Sequence, residues 1–458
     1  MEFVHRPYIP GETIAAVATA TGEGGIAVVR ISGNLAIEVS DKIFSGDVAS
    51  FKSHTVHFGK ICTLQGEKID DVLLVVMLNP RSFTGEDTVE IQCHGGRLVT
   101  TRVLEAALSA GARAARPGEF SFKAFMNGKI DLAQAEAIQA LIHAKNEHAL
   151  GFASEQLEGT LSKKIIVFQK RLTEIAAILE AWVDFPEEDL EFAPFETVVR
   201  DLSEISAEMQ KLIRSFHQGK IIHDGIQLSL VGSPNVGKSS LMNALLGKER
   251  AIVSPIAGTT RDLVEDDLRL NGLHFRLTDT AGIRKTDELI EEEGIRRSKK
   301  AIERSDLILF VMDAQDAALL DSDLVDILPK EKTVVVWNKI DLPHERPLPQ
   351  LPFAHVVEVS AKALLGLDTL HAKIDEVIWE KGAPNKDEIT ITTLRHKESL
   401  EQAEASLHNV ITGLKDAVSA EFVAFDIRMA LRELGTIIGT NVTEDVLTAI
   451  FSKFCIGK

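Results

Sequence analysis

Residues 227–243 read QLSLVGSPNVGKSSLMN, and the class of the surrounding domain follows from this segment. Its first residues alternate polar and apolar side chains up to Val231, as a strand does. The octapeptide Gly232–Ser239 then fits the pattern G-x-x-x-x-G-K-[ST], whose glycines let backbone N–H groups converge on a phosphate. Leu241 and Leu245 follow at helical spacing. A strand, a phosphate-binding loop and a helix in this order predict a P-loop nucleotide-binding domain.

Two side chains of the octapeptide carry the expected chemistry. Lys238 would bring its charge to the β- and γ-phosphates, and Ser239 would offer a hydroxyl to Mg²⁺. The alternative is a glycine turn with a chance lysine, and the partner motifs further along the chain argue against it. The residues predicted to contact nucleotide here are Asn235, Val236, Gly237, Lys238, Ser239 and Ser240.

Two segments between the P-loop and residue 283 predict a magnesium site and a γ-phosphate sensor. Asp279 ends a predicted strand, where a carboxylate can hold Mg²⁺ through water, and the Gly282 N–H can sense the γ-phosphate. Thr260 lies in GTTRD, where a mobile switch belongs, and can complete the Mg²⁺ shell. The second segment comprises Asp279, Thr280, Ala281 and Gly282.

Two further motifs predict that the base is guanine. Asn338-Lys339-Ile340-Asp341 follows a predicted strand, and the Asp341 carboxylate can accept from the N1–H and 2-amino groups of guanine. Adenine has neither donor, so it would leave a carboxylate unpaired at a cost of about 1–3 kcal/mol per lost bond. Ser360, Ala361 and Lys362 follow the next strand, where a backbone N–H can meet the guanine O6. Each motif is weak alone, but their order predicts GTP binding.

The residue after Asp-Thr-Ala-Gly bears on hydrolysis. Ras-like enzymes use a Gln there to orient the attacking water, whereas this chain has Ile283, which cannot do so. Hydrolysis therefore needs another group to orient the attacking water. From the residues alone, the candidates for this role are Asn235, Arg284 and the acidic run 291–293. The structural alternative for the acidic run is the solvated start of a helix.

Length and composition limit the classes of protein to which the chain can belong. The 458 residues predict about three domains. Apolar residues make up 45% and the mean hydropathy is +0.06, as in ordinary globular proteins. A net charge of −18 argues against broad electrostatic binding of nucleic acid. Three scattered cysteines fit a reducing cytoplasm, and apolar runs far shorter than a bilayer predict no membrane span.

The hydrophobic pattern predicts an α/β plus all-α architecture. Strand-like segments and turns up to about residue 124 indicate a small mixed α/β domain. A structural role is the simplest interpretation of any single polar residue in it, including His94. Spacings of three and four from Leu157 to Trp182 predict one long helix. Helical spacing returns after residue 384. We therefore expect a helical-bundle domain split in sequence by an inserted Ras-like P-loop GTPase domain with a largely parallel sheet. The expected domains are 1–124, 125–222, 223–384 and 385–458.

Four stretches outside the P-loop domain, together with the motifs inside it, carry a resemblance to a known family. The stretches are GEGGIAVVRISG, SFTGEDTVEIQCHGG, RPGEFSFKAFMNGKIDLAQAEAI and the terminal FCIGK. With GSPNVGKSSLMNAL, IAGTTRD, DTAGIR, NKID and SAK, the chain resembles the MnmE (TrmE) family of tRNA-uridine-modification GTPases over essentially its whole length.

The resemblance implies sites, cofactors and partners. It implies a homodimer whose N-terminal domains bind a 5-formyl- or 5,10-methylene-tetrahydrofolate through Arg30, Glu90 and Lys129, with the tail to Lys458 nearby. It implies that K⁺ activates GTP hydrolysis and that Glu291 orients the water. The implied K⁺-ligating positions are Asn235, Ser254, Ile256 and Thr259. It further implies an FAD-dependent partner of the MnmG (GidA) type in a heterotetramer, which modifies C5 of the wobble uridine of certain tRNAs with a folate-derived one-carbon unit.

Two questions stay open at this level. Cys455 is either a nucleophile or a small buried hydrophobe, and only the FCIGK ending raises the first interpretation. The rival function is a GTP switch of the ribosome-assembly kind, with no chemistry beyond nucleotide hydrolysis. Folate binding and a dependence of GTP turnover on K⁺ rather than Na⁺ would discriminate the two.

Overall fold

The chain forms two compact units. They comprise Met1–Gln139, Gln156–Asp184 and Ala424–Lys458 in the first, and Ala140–Glu155 and Phe185–Val423 in the second. The computed structural model describes residues 8–20, 22–184, 195–233, 235–248, 267–270, 273–277, 302–315, 322–343, 351–379, 388–416 and 418–457.

A six-stranded sheet organises the first unit. The strands are β1 (Ile14–Val17), β2 (Ile26–Ser32), β3 (Thr55–Cys62), β4 (Lys68–Met77), β5 (Thr88–His94) and β6 (Arg113–Ala114). Their spatial order is β3-β4-β5-β2-β1-β6. All neighbours are antiparallel except β1 and β6, which are parallel.

The two faces of this sheet differ because side chains alternate along each strand. One face packs under two helices, α1 (Ala36–Ile43) and α2 (Arg97–Ser109), and Val29, Ile31 and Ile91 are fully buried there. The opposite face carries Arg30 and Glu90, which lie directly across from each other on β2 and β5. Toward the β3 edge this second face is open, since Phe58 is 75% exposed.

Helices connect and flank the two sheets. They are α3 (Glu119–Met126), α4 (Leu132–His143), α5 (Glu147–Leu157), α6 (Thr160–Asp184), α7 (Phe195–Asp224), α8 (Lys238–Lys248), α9 (Ser322–Ile327), α10 (Leu367–Ile378), α11 (Leu394–Lys415), α12 (Ala420–Ile438) and α13 (Glu444–Phe451). The expected single helix from Leu157 onward is wrong at its start. Leu157 ends α5, and Gly159 adopts φ +80° before α6 begins, because glycine takes the left-handed conformation that stops a helix.

A second six-stranded sheet organises the second unit. The strands are β7 (Ile226–Val231), β8 (Asp267–Leu270), β9 (Leu273–Leu277), β10 (Leu307–Asp313), β11 (Thr333–Asn338) and β12 (His355–Val359). Their order is β12-β11-β10-β7-β9-β8, parallel throughout except for the antiparallel pair β8–β9. Buried residues fill both faces of this sheet, as continuous apolar runs such as Thr333–Trp337 predict.

Two long helices of the second unit pack against each other. Ser206 and Gln210 on α7 both donate to Glu404 Oε1 on α11. Gly219 allows the chain to approach closely, because a Cβ there would lie 2.2 Å from the Ile391 carbonyl oxygen. The predicted fold class, an α/β N-terminal domain plus helices around an inserted P-loop α/β domain, is confirmed. Among the described residues no helix is both long and apolar enough to cross a membrane.

Candidate functional site

The loop after β7 has the backbone that its glycines predict. Gly232 and Gly237 adopt φ +148° and +98°, and Asn235 between them adopts +62°. A Cβ at Gly237 would lie 2.3 Å from Asn338 Nδ2, so only glycine permits this approach. The loop therefore turns tightly into α8, whose N-terminal end is positive and suits a phosphate.

The Lys238 ammonium curls back over this loop. Its Nζ donates to the carbonyl oxygens of Gly232 at 2.7 Å and Ser233 at 2.8 Å. Burial lowers the pKa of Lys238 because desolvation disfavours the charged form. Within the described part of the chain no carboxylate pairs with this lysine. A half-buried cation at the N-terminal end of a helix is suited to an anionic phosphate, which would supply a counter-charge.

Asn338 joins the P-loop to the loop after β12. Its Nδ2 donates to the Val236 carbonyl oxygen at 2.9 Å, and its Oδ1 accepts from the Ala361 N–H at 3.0 Å. The side chain is buried, so these bonds are shielded from competition by water in the intact protein. One amide therefore fixes two predicted nucleotide-binding segments against each other.

The next residue, Lys339, adds a second link to the P-loop. It adopts φ +70°, and its Nζ donates to the Asn235 carbonyl oxygen at 2.9 Å. The same Nζ pairs with Asp313 Oδ2 at 2.5 Å at the end of β10. Asp313 and Asn338 are register partners on neighbouring parallel strands, so the sheet itself brings these groups together.

Asp341 presents its carboxylate to solvent at the end of the NKID segment. It is exposed, and its Oδ1 accepts from the Ser360 hydroxyl at 2.6 Å. Ser360 Oγ in turn accepts from the Ala363 N–H at 3.0 Å, so the hydroxyl proton is directed at the carboxylate. This arrangement orients an acceptor toward solvent, as recognition of the N–H donors of guanine requires. Lys362, Ser239 and Ser240 are accessible to solvent.

A second group of predicted site residues meets on the first sheet. Arg30 Nε and Nη2 both contact Glu90 Oε1 at 2.8 Å, and the Arg30 guanidinium lies 5.6 Å from the centroid of the Phe120 ring. Arg30 Nη1 also donates to the Gly457 carbonyl oxygen at 3.3 Å. The C-terminal tail is thus held over the strands that carry the predicted folate residues.

Gly118 lies close to the last helix and to the tail that follows it. The Gly118 N–H donates to the Cys455 carbonyl oxygen at 3.3 Å, and a Cβ on Gly118 would lie 2.4 Å from the Phe451 carbonyl oxygen. Cys455 itself is exposed, so the interpretation as a small buried hydrophobe is wrong. Exposure leaves the thiol accessible to a reactant.

Lys129, the third predicted folate residue, makes a different contact. Its Nζ donates to the Pro80 carbonyl oxygen at 3.0 Å. Among the described residues no hydrogen bond joins it to Arg30 or Glu90. The predicted site residues outside the described ranges are Ser254, Ile256, Thr259, Thr260, Asp279, Thr280, Ala281, Gly282, Glu291 and Lys458.

Comparisons with known proteins cover the chain almost end to end. A model of the GTP-binding protein TrmE N-terminus matches residues 13–129, and a model of the MnmE helical domain matches residues 132–455. A protein named tRNA modification GTPase MnmE from Protochlamydia amoebophila is 60% identical over 100% of both chains. The chain belongs to the MnmE family.

Other relatives in this family are more distant but equally long. The proteins of the same printed name from Chlamydia caviae and Thermoanaerobacter pseudethanolicus are 44% and 41% identical, over 98% of this chain and 100% and 99% of theirs. Among solved structures, the FeoB G-domain from Methanococcus jannaschii matches 33% of this chain and 97% of its own, with 27% identity and a TM-score of 0.25.

The MnmE motifs do not include every charged group at the nucleotide site. Asp313 was not predicted. A usable signal exists, because an Asp at the carboxyl end of a strand next to NKID lies at the edge where parallel sheets place their ligand sites.

The buried ion pair of Lys123 and Glu86 in the first unit was also not predicted. The two charged groups lie 2.6 Å apart, but 37 residues separate them in the sequence.

Proposed function

We propose that the chain is a GTP hydrolase that acts in tRNA modification. The P-loop supports this most directly: Lys238 is a cation without a carboxylate partner in the described ranges, held over a loop that Asn338 and Lys339 tie to the base-recognition segments. Full-length identity of 60% to a protein named tRNA modification GTPase MnmE supports tRNA as the macromolecular substrate. The domain boundaries proposed with it are 1–124, 125–222, 223–384 and 385–458.

Guanine specificity rests on Asp341 and its support. The carboxylate accepts from N1–H and the 2-amino group of guanine, while Ser360 holds its Oδ1 in place. The loop that contains Ala361 and Lys362 offers a backbone N–H to the guanine O6. Because Ala361 N–H is already bonded to Asn338, a neighbouring N–H of the loop has to meet the base. Loss of these bonds with adenine leaves polar groups unpaired, which is the basis of selectivity.

Two cations complete the proposed phosphate site. Ser239, Asp279 and Thr260 are assigned to Mg²⁺, and Asn235, Ser254, Ile256 and Thr259 to K⁺. Hydroxyl, amide and carbonyl oxygens are the donors that these hard cations prefer. Bound there, they supply positive charge to the β- and γ-phosphate oxygens. Glu291 orients the attacking water, which is the role of the Gln that Ras-like enzymes have at the position of Ile283. Thr280, Ala281 and Gly282 form the γ-phosphate sensor.

The first sheet is proposed to bind the tetrahydrofolate. Both contacts between Arg30 and Glu90 fall on Oε1 of the glutamate, which leaves Oε2 for the N–H donors of a reduced pterin. Lys129 and Lys458 are assigned to the same ligand, a 5-formyl- or 5,10-methylene-tetrahydrofolate. Arg30 contacts the C-terminal tail, and Cys455 is exposed on that tail. We assign Cys455 the role of a nucleophile in the modification reaction.

The proposed assembly is a cytoplasmic homodimer that joins an FAD-dependent partner of the MnmG type in a heterotetramer. The open face of the first sheet, where Phe58 is 75% exposed, supports a second copy as the cover of this surface. Light scattering of the purified chain tests the dimer: a mass of one chain at micromolar concentration would contradict it.

GTP turnover in K⁺ against Na⁺ tests the hydrolase and its cation together. We expect turnover in K⁺ to exceed that in Na⁺ by at least about tenfold, because Na⁺ is smaller and fits the same oxygen donors poorly. Lys238→Ala should abolish nucleotide binding, whereas Asn235→Ala should retain binding and lose the K⁺ response. Equal turnover in both salts would contradict the K⁺ role, and absence of GTP turnover would contradict the hydrolase.

Folate binding tests the modification chemistry separately. Isothermal titration with 5-formyl-tetrahydrofolate should show binding that Arg30→Ala or Glu90→Ala weakens by at least about tenfold, since each removes a charged hydrogen bond. The Lys52→Ala variant is a matched control on an exposed cation of the same unit. Unchanged affinity in both site variants would contradict the folate site.

A further inference from the structure

Asp313 belongs to none of the nucleotide-binding motifs, yet it contacts one of them. Its Oδ2 accepts from Lys339 Nζ at 2.5 Å, and that same Nζ donates to the Asn235 carbonyl oxygen at 2.9 Å. One ammonium therefore bridges the end of β10 and the P-loop. The bridge crosses from the segment expected to bind the base to the segment expected to bind phosphate.

We infer that Asp313 is a positioning residue for guanine nucleotides. Its carboxylate holds the Lys339 ammonium against the P-loop carbonyl of Asn235 and thereby slows nucleotide release. This inference rests on the proposed function as a GTP-binding protein. Asp313 acts through Lys339 and is not proposed to touch the nucleotide or the reacting atoms.

The carboxylate is itself held in a defined place. Asp313 Oδ1 accepts from the Gln315 N–H at 3.0 Å, which leaves Oδ2 directed at the lysine. The register of β10 and β11 places Asp313 opposite Asn338, so the sheet sets the distance to the following residue, Lys339. Rigid strands hold a side chain more closely than a loop would.

The hydrogen bond from the Lys339 ammonium to the Asn235 carbonyl oxygen links two residues that both need such restraint. Asn235 and Lys339 adopt φ +62° and +70°, a left-handed conformation that non-glycine residues rarely adopt. Backbone in this region persists when surrounding contacts hold it. The ion pair is also shielded, with side-chain exposures of 29% for Lys339 and 15% for Asp313, so water screens it less than a surface pair.

Release of a fluorescent N-methylanthraniloyl GDP from the full chain, followed by stopped flow, tests the inference. We expect Asp313→Ala to accelerate release by roughly tenfold to a hundredfold, the range of one hydrogen bond to a charged group. Asp313→Asn keeps the shape and the Gln315 contact, so it should accelerate release less. Asp326→Ala removes an exposed carboxylate on α9 of the same unit and should leave the rate within twofold.

A double-mutant comparison separates positioning from general stabilisation. In a Lys339→Ala background, adding Asp313→Ala should change the release rate by less than twofold, because the group it positions is gone. A role in stability alone would lower the thermal midpoint to the same extent in both backgrounds and would leave the release rate unchanged.

Two results would overturn the inference. One is a release rate within twofold of wild type for both Asp313→Ala and Asp313→Asn. The other is an equal acceleration by Asp313→Ala with and without Lys339. If Asp313→Ala does not fold, the shape-preserving Asp313→Asn variant decides alone. A wild-type protein that binds no guanine nucleotide would instead contradict the proposed function, and with it this inference.

Discussion

Replacement of Asn338 by Ala should destabilise the second unit more than any exposed substitution in it. The change removes the donor to the Val236 carbonyl at 2.9 Å and the acceptor of the Ala361 N–H at 3.0 Å. Both main-chain groups belong to buried residues, with exposures of 7% and 6%. A buried polar group left without its partner costs about 1–3 kcal/mol, so two give about 2–4 kcal/mol after partial access of water.

This loss is expected in the free protein as well as in the complex. The two hydrogen bonds exist without ligand, so their removal lowers the free energy of unfolding directly. It also loosens the P-loop relative to the loop of Ala361, so nucleotide affinity should fall in addition. A decrease of about 2–4 kcal/mol is large against the 5–15 kcal/mol that holds a typical domain folded.

Urea unfolding followed by Trp337 fluorescence measures the effect. Trp337 is 1% exposed and directly precedes Asn338, and replacing Trp182 and Trp379 by Phe leaves it as the reporter. Asn409→Ala on α11 is the matched control, since this exposed asparagine should change stability by less than about 0.5 kcal/mol. An Asn338→Ala variant as stable as that control would refute the role of the buried amide.

Three further perturbations probe the first unit. Lys123→Met leaves Glu86 buried without its cation and should lower the free energy of unfolding by about 3–5 kcal/mol in chemical denaturation, with partial recovery on adding Glu86→Gln. Burial pushes the pKa of Asp70 upward, but hydrogen bonds from the backbone and ring of His94 outweigh it and keep the pKa below its ordinary value. His94→Ala should therefore raise the Asp70 pKa and reduce stability above pH 4. The difference from wild type should close as the pH falls through the lowered pKa, in unfolding measured across pH 2–7. Gly457→Ala puts a Cβ 2.3 Å from a β1 carbonyl oxygen at φ +95°, so carboxypeptidase should trim the displaced tail faster.

Each of these has a variant that isolates its cause. Lys52→Met removes an exposed lysine and should leave stability unchanged. Asp70→Asn should abolish the pH-dependent difference between proteins with and without His94. Gly66→Ala imposes a similar backbone penalty at φ +86° with nothing within 4 Å, so trimming as slow as in that variant would contradict the packing argument for Gly457.

Local patterns could be predicted because neighbouring residues determine them. The alternation up to Val231, the glycines at 232 and 237 and the leucines after Lys238 specify strand, loop and helix within one stretch, and the structure has β7 and α8 there. The strand before Asn338 was predicted to within one residue for the same reason. The break at Gly159 was missed because a continuous apolar spacing concealed one glycine.

Pairs of residues far apart in the chain could not be predicted, because the folding of the chain brings them together. Arg30 and Glu90 are 60 residues apart and meet because β2 and β5 pair in one register, while Arg30 and Gly457 are 427 residues apart. Lys339 and Asp313 meet because two parallel strands end side by side. The family, the phosphate-binding loop and the expectation of a guanine base all follow from short stretches of sequence. Which side chains restrain that loop depended on strand register and burial, which join residues that no local spacing relates.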